Sequence, residues 1–119
     1  MVIEGDARLF ITDSIKIESD LTTAEKTQTP CSSIVSDLKA QLIAQVCKVN
    51  AVANVEGKGR DDLTITTLHA AEQVIKAHKR NPAEYSKAVL NLANKVKTSF
   101  NAFRILMRKY EVNIEAADP

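Results

Sequence analysis

Aromatic residues and chain breakers are scarce in this chain. Tryptophan is absent, aromatics make up 4% of the 119 residues, and glycine and proline number three each. With so few rings, the core must consist mainly of aliphatic side chains and alanine. Many-stranded sheets need frequent turns, so the scarcity of glycine and proline favours long helices over a many-stranded sheet.

Cysteines and long apolar runs are equally scarce. Cys31 and Cys47 are too few for a disulfide framework. Cys47 lies in an apolar run, which predicts a small buried residue, whereas Cys31 follows a proline in a polar stretch. No run approaches the ~18 consecutive apolar residues of a transmembrane helix, and residues 1–30 lack the pattern of a signal peptide. We therefore expect a soluble intracellular protein, in the cytoplasm and away from membranes.

The composition that remains is that of an ordinary globular chain. Hydrophobic residues make up 45% and charged residues 26%, and the length suits one domain spanning 1–119. Within it we expect an acidic N-terminal segment, 1–30, made of a short helix and a polar linker. A helical core over 30–116 would follow.

One long amphipathic segment dominates the last third of the chain. Its apolar residues recur at steps of three and four, the spacing of one helix face: Tyr85, Val89, Leu92, Val96, Phe100, Phe103, Met107, Tyr110 and Ile114. The pattern predicts one helix from Asn81-Pro82 to about Glu115, about nine turns and 50 Å long. The other elements are expected to cover this face.

The N-terminal segment is ambiguous. Ile15 to Glu18 alternate as in a strand, but Ala7, Phe10, Ser14, Ile17 and Leu21 follow helical spacing after the potential N-cap Asp6. Helix is favoured, because the sequence offers no second strand for pairing. The hydroxyl-rich residues 22–33 are interpreted as a linker.

Two helices are predicted between the ends. The first begins at Thr29-Pro30 and runs to about Asn54, and the second begins at Asp61-Asp62 and runs to about Arg80. Asn81-Pro82 predicts a break with Asn81 as the next N-cap, with a kinked continuous helix as the alternative. The fold class is all-α: an antiparallel three- or four-helix bundle with a long C-terminal helix.

Charge is unevenly distributed although the net charge is only +1. Residues 1–25 hold six acids and two bases, a balance of −4, and residues 76–109 hold nine bases and one acid, a balance of +8. One interpretation is that the acidic N-terminal part lies against the basic C-terminal part. The other is a basic face for an acidic partner.

A basic and asparagine-rich face on the last helix is the basis of one functional hypothesis. Its candidate phosphate-binding residues are Lys87, Lys95, Lys97, Arg104, Arg108 and Lys109. They would suit a small nucleic-acid-binding protein or a virion packaging protein. The near-neutral charge and the lack of a known nucleic-acid-binding motif weigh against it.

The favoured hypothesis starts from four apolar residues that lie on more than one face of the last helix: Phe103, Ile105, Leu106 and Met107. Either they fill a crowded core, or they form a surface for a partner or a second copy. The candidate partner-binding residues are Phe103, Leu106, Met107 and Tyr110. The function predicted first is a non-enzymatic interaction or assembly module of the adaptor or scaffold kind, with a protein partner or a homo-oligomer.

Catalytic and cofactor chemistry find little support in the sequence. His69 and Glu72 could share a metal, but two ligands are too few, and neither cysteine has a nucleophile signature. Residues 57–60 resemble a phosphate loop only superficially, because the following Lys-Ser/Thr pair is missing. We predict no enzyme activity, no metal and no cofactor.

Overall fold

The computed structural model describes residues 5–54, 65–66, 69–83, 85–110 and 114–115, and four α-helices make up most of them. They are α1 (Gly5–Thr27), α2 (Ser32–Asn54), α3 (His69–Arg80) and α4 (Lys87–Lys109). A 3₁₀ turn, Thr29–Cys31, joins α1 to α2. The predicted all-α helical bundle is confirmed.

Helix α1 settles the ambiguity of the N-terminal segment in favour of helix, and it is longer than predicted. It continues to Thr27, so the predicted linker over 22–33 is wrong for its first half. The hydroxyls of Thr22, Thr23 and Thr27 donate to the carbonyls four residues earlier. Because these bonds satisfy the hydroxyls inside the helix, the threonines do not break it.

The burial predicted for Cys47 is wrong. Cys31 is buried in the 3₁₀ turn, and Cys47 is exposed on α2. The core stripe of α2 includes Gln45 and Val49, and Cys47 lies two residues from each. A step of two residues turns about 200° around the helix axis, so Cys47 points away from the core stripe and into solvent.

Helix α3 begins later than predicted. Its first residue is His69, while Ile65–Thr66 forms a two-residue strand, β1, paired in parallel with β2 at Ile114–Glu115. The predicted start at Asp61-Asp62 lies outside the described residues. The β-branched residues of these short strands suit extended backbone.

Helix α4 has 23 residues rather than the predicted nine turns. The Ser86 side chain caps its N-terminus by accepting from the Val89 N–H, at 3.3 Å, and Lys109 ends it. Asn81, predicted as the cap, instead accepts from the Ala83 N–H in the preceding turn, at 3.2 Å. The kinked continuous helix is therefore wrong as well, because residues 81–83 and 85–86 leave the helical path.

Ion pairs between helices define the antiparallel arrangement. Asp6, at the start of α1, pairs with Lys109 at the end of α4 at 2.9 Å, and Asp20 pairs with Lys95 at 3.2 Å. Glu25 near the end of α1 pairs with Lys39 near the start of α2. Helix α1 is thus antiparallel to both neighbours. The prediction that the acidic N-terminal part lies against the basic C-terminal part is confirmed.

Candidate partner-binding groove

An open groove runs between α1 and α4 on the surface of the bundle. Its volume is about 660 Å³. Helix α1 contributes Asp6, Leu9, Phe10, Asp13 and Ile17 to its lining, and α4 contributes Asn94, Lys95, Thr98, Ser99, Ala102, Ile105, Leu106 and Lys109. The spacing on each helix is three or four residues, so each helix turns one continuous face to the groove.

The groove is mainly apolar and partly open to solvent. Phe10 and Leu106 are buried at its floor, whereas Leu9 is 62% exposed and Ile105 is 70% exposed. Four large apolar side chains are strongly exposed in the described part of the chain, and these two line the groove. A free surface that gathers exposed apolar residues along a groove is typical of interaction sites.

The rims of the groove carry opposite charges. Aspartates recur seven residues apart on α1: Asp6 and Asp13 line the groove, and Asp20 lies just beyond its Ile17 end. On α4 the corresponding positions are Lys109, Ala102 and Lys95, also seven residues apart. The two outer pairs are salt bridges, at 2.9 Å and 3.2 Å. In antiparallel helices this spacing places Asp13 across from Ala102.

The four predicted partner-binding residues lie inside the bundle. Phe103, Leu106, Met107 and Tyr110 are all buried, between 0% and 8% exposed. Helix α4 packs against the other three helices, so most of its circumference is covered within the chain. The four residues thus lie in the core of the bundle, and Leu106 alone of the four lines the groove.

The predicted phosphate-binding residues do not form one free basic face. Lys95, Lys97 and Lys109 pair with Asp20, Glu72 and Asp6. Lys87 and Arg108 are exposed, and Arg104 is half-buried. Lys95 pairs with α1 and Lys97 pairs with α3, because residues two positions apart on a helix point in nearly opposite directions. Half of the set is thus engaged within the chain.

Several polar side chains are buried in the core without forming a reactive group. The Gln45 Nε2 donates to the Ser99 Oγ at 3.4 Å. The Ser14 Oγ and the His78 Nδ1 are buried and lack a hydrogen-bond partner in the described part. None of these places a nucleophile beside a general base, the arrangement that covalent catalysis requires.

Lys48 is the one buried cation in the described part of the chain, at 7% exposure. Burial lowers the pKa of Lys48 below its usual 10.5, since removing the ammonium from water disfavours its charged form. We expect Lys48→Met to raise the free energy of unfolding by about 0.5–1 kcal/mol at neutral pH. The methionine keeps the apolar stem and needs no desolvation of a charge.

The stability gained by Lys48→Met should decrease as the pH rises. Between the folded-state pKa and 10.5 the unfolded chain binds more protons at Lys48, so wild-type stability rises with pH in that window. The advantage of the methionine variant therefore shrinks as pH increases toward 10.5. Urea unfolding at neutral pH and at about pH 10 measures this. Lys26→Met, at an exposed position of α1, is the control, and an equal response of both variants would contradict the prediction.

The comparisons with known proteins identify no relative. Neither protein-family models, nor curated proteins, nor solved structures match this chain. Among the described helices, none combines the length and apolar character needed to cross a bilayer. The described residues also bring together no group of three or more metal-ligating side chains. The groove therefore stands as the candidate site on its own geometry.

Sequence reasoning named only part of this groove, with Leu106 as a partner-binding residue and Lys95 and Lys109 as phosphate-binding residues. Leu9 and Ile105 lie beside the apolar stripes of their helices rather than within them, so periodicity assigned them no role. The heptad spacing of Asp6, Asp13 and Asp20 is visible in the sequence. Its significance appears only once the lysines of α4 face it.

Proposed function

We propose that this chain is a non-enzymatic helical interaction module, of the adaptor or scaffold kind, which binds a protein partner in the groove between α1 and α4. The observation that carries the proposal is the exposure of Leu9 and Ile105 in the same groove. Burying such side chains under a partner removes apolar surface from water and favours binding. The two free thiols, Cys31 and Cys47, support a location in the reducing cytoplasm.

The shape of the groove fits a helical ligand. Two helices packed side by side leave a shallow channel, in which the apolar face of a third helix can pack. The lining runs from Asp6 to Ile17 along α1, which at ~1.5 Å per residue is about 16 Å, or three helical turns. A short amphipathic segment of a partner would fill it.

Nucleic-acid binding through the basic residues of α4 is the weaker proposal. A phosphate would have to compete with Asp20, Glu72 and Asp6 for three of the six candidate bases. Salt separates the two functions, because phosphate contacts weaken steeply with ionic strength. Apolar docking in the groove should respond only weakly.

We expect Ile105→Asp to weaken binding of an amphipathic, leucine-rich helical peptide by about tenfold or more, because a charge replaces an apolar contact in the groove. The measurement is fluorescence anisotropy of the labelled peptide, and circular dichroism of each variant establishes that it is folded. Ile15→Asp is the matched control, since Ile15 is also exposed on a helix, at 59%, but does not line the groove. Unchanged binding by Ile105→Asp would refute the proposed docking site.

A further inference from the structure

The ion pairs between α1 and α4 form a ladder, in which each pair is one rung, and the middle rung is missing. The outer rungs join Asp6 to Lys109 and Asp20 to Lys95. The middle rung has the acid, Asp13, but places Ala102 where the two outer rungs have lysine. Both middle residues are exposed and line the groove.

Asp13 is therefore an exposed carboxylate, without an ion-pair partner among the described residues, in a groove lined mainly by apolar side chains. It takes part in no ion pair within the described part of the chain, unlike Asp6 and Asp20. Lys16 lies one turn further along α1 but is absent from the groove lining. The side chain of Ala102 ends at Cβ, and Ala102 and Asp13 both line the open groove.

We propose that the partner is an amphipathic helix with a single lysine or arginine between apolar residues, and that its cation fills the missing rung against Asp13. The apolar residues on either side of the cation contact Leu9 and Ile105. This inference rests on the proposed function and names the chemistry of the partner. Closing the groove would partly desolvate the pair, which strengthens the attraction between cation and carboxylate.

A second copy of the chain fits this groove less well. In a two-fold contact the same surface is used by both copies, so two unpaired Asp13 carboxylates would enter the interface together. The groove lining itself offers only lysines that are already paired, Lys95 and Lys109. Burial of uncompensated carboxylates is costly, so a partner that brings its own base is favoured.

The test compares two helical peptides of about four turns. Both carry leucines three and four residues apart on one face, and they differ only in having arginine or glutamine between the leucines. We expect wild-type protein to bind the arginine peptide about fivefold more tightly than the glutamine peptide at low ionic strength. Asp13→Asn should abolish this preference.

Ala102→Lys supplies the missing rung from within the chain. The introduced ammonium should pair with Asp13 and abolish the preference for arginine. Asn101→Lys is the control, because it adds the same charge at the neighbouring exposed position, which does not line the groove. It should retain the preference.

The outcomes separate the inference from the proposed function. If the peptides bind through Ile105 but Asp13→Asn leaves the arginine preference intact, the proposed role of Asp13 is wrong and the docking site stands. If neither peptide binds, both proposals fail. A dimeric mass by light scattering that Ile105→Asp converts to a monomer would show a second copy in the groove and overturn the inference.

Discussion

Replacing Phe103 with alanine is expected to lower the free energy of unfolding by about 3–5 kcal/mol. Phe103 is 0% exposed, and its ring centroid lies 6.0 Å from those of both Phe10 and Phe100. Removal of the ring exposes a cavity between α1 and α4 and deletes two aromatic contacts. Since small domains are stable by about 5–15 kcal/mol, the variant would be close to unfolding. Urea denaturation followed by circular dichroism measures the change.

Ile105→Ala is the matched control for this substitution. Ile105 lies two residues further along α4 and is 70% exposed, so its truncation should change stability by less than about 0.5 kcal/mol. The pair also tests the assignment of Phe103 to the core. A Phe103 side chain held at a partner surface would cost the free protein little when truncated, so equal small effects would contradict the structure.

The faces of the helices could be predicted from the sequence because helical periodicity is local. The buried residues of α4 include Val89, Leu92, Val96, Phe100 and Phe103, at the predicted spacing. Periodicity does not mark where a helix ends, however. Tyr85 and Ile114 continue the spacing by coincidence, although Tyr85 precedes the Ser86 cap and Ile114 lies in β2.

The groove could not be predicted because it depends on register between distant segments. Its two ion pairs join residues 75 and 103 positions apart, and nothing local fixes which aspartate meets which lysine. The same limit explains why the burial of Phe103 and Met107, both predicted to bind a partner, could not be foreseen. The sequence shows that α4 is apolar on more than one side, but which side another helix covers is decided by tertiary packing.

In residues 22–27, tertiary contacts outweigh the preference of a hydroxyl-rich composition for a linker. Threonine and other hydroxyl residues favour linkers, yet here α1 continues through them to Thr27. Tertiary packing stabilises this C-terminal end of α1, since Ala24 is buried and Glu25 pairs with Lys39 of α2 at 3.1 Å. Packing of an amphipathic face contributes more to helix stability than local propensity does, so the helix ends only where Gln28 leaves the helical conformation.

Thr23→Pro tests this extension of α1 directly, and we expect it to lower the free energy of unfolding by about 3 kcal/mol or more. Thr23 lies inside the helix and is exposed, so the cost would arise from the backbone rather than from lost packing of its side chain. Proline removes the N–H that donates to the Ser19 carbonyl, and its ring clashes with that carbonyl. Release of the last turn would not avoid the cost, because it would expose Ala24 and separate Glu25 from Lys39.

Thr23→Ala separates the backbone effect from the loss of the hydroxyl. It removes the γ-methyl group and the hydroxyl, and with the hydroxyl its exposed hydrogen bond of 3.2 Å to the Ser19 carbonyl. At this exposed position the substitution should change stability by less than about 0.5 kcal/mol. Urea unfolding of both variants gives the difference. If proline and alanine prove equally harmless, residues 22–27 behave in solution as the linker that their composition suggests. That result would contradict the pairing of Glu25 with Lys39. It would not affect the groove, because the groove lining on α1 ends at Ile17.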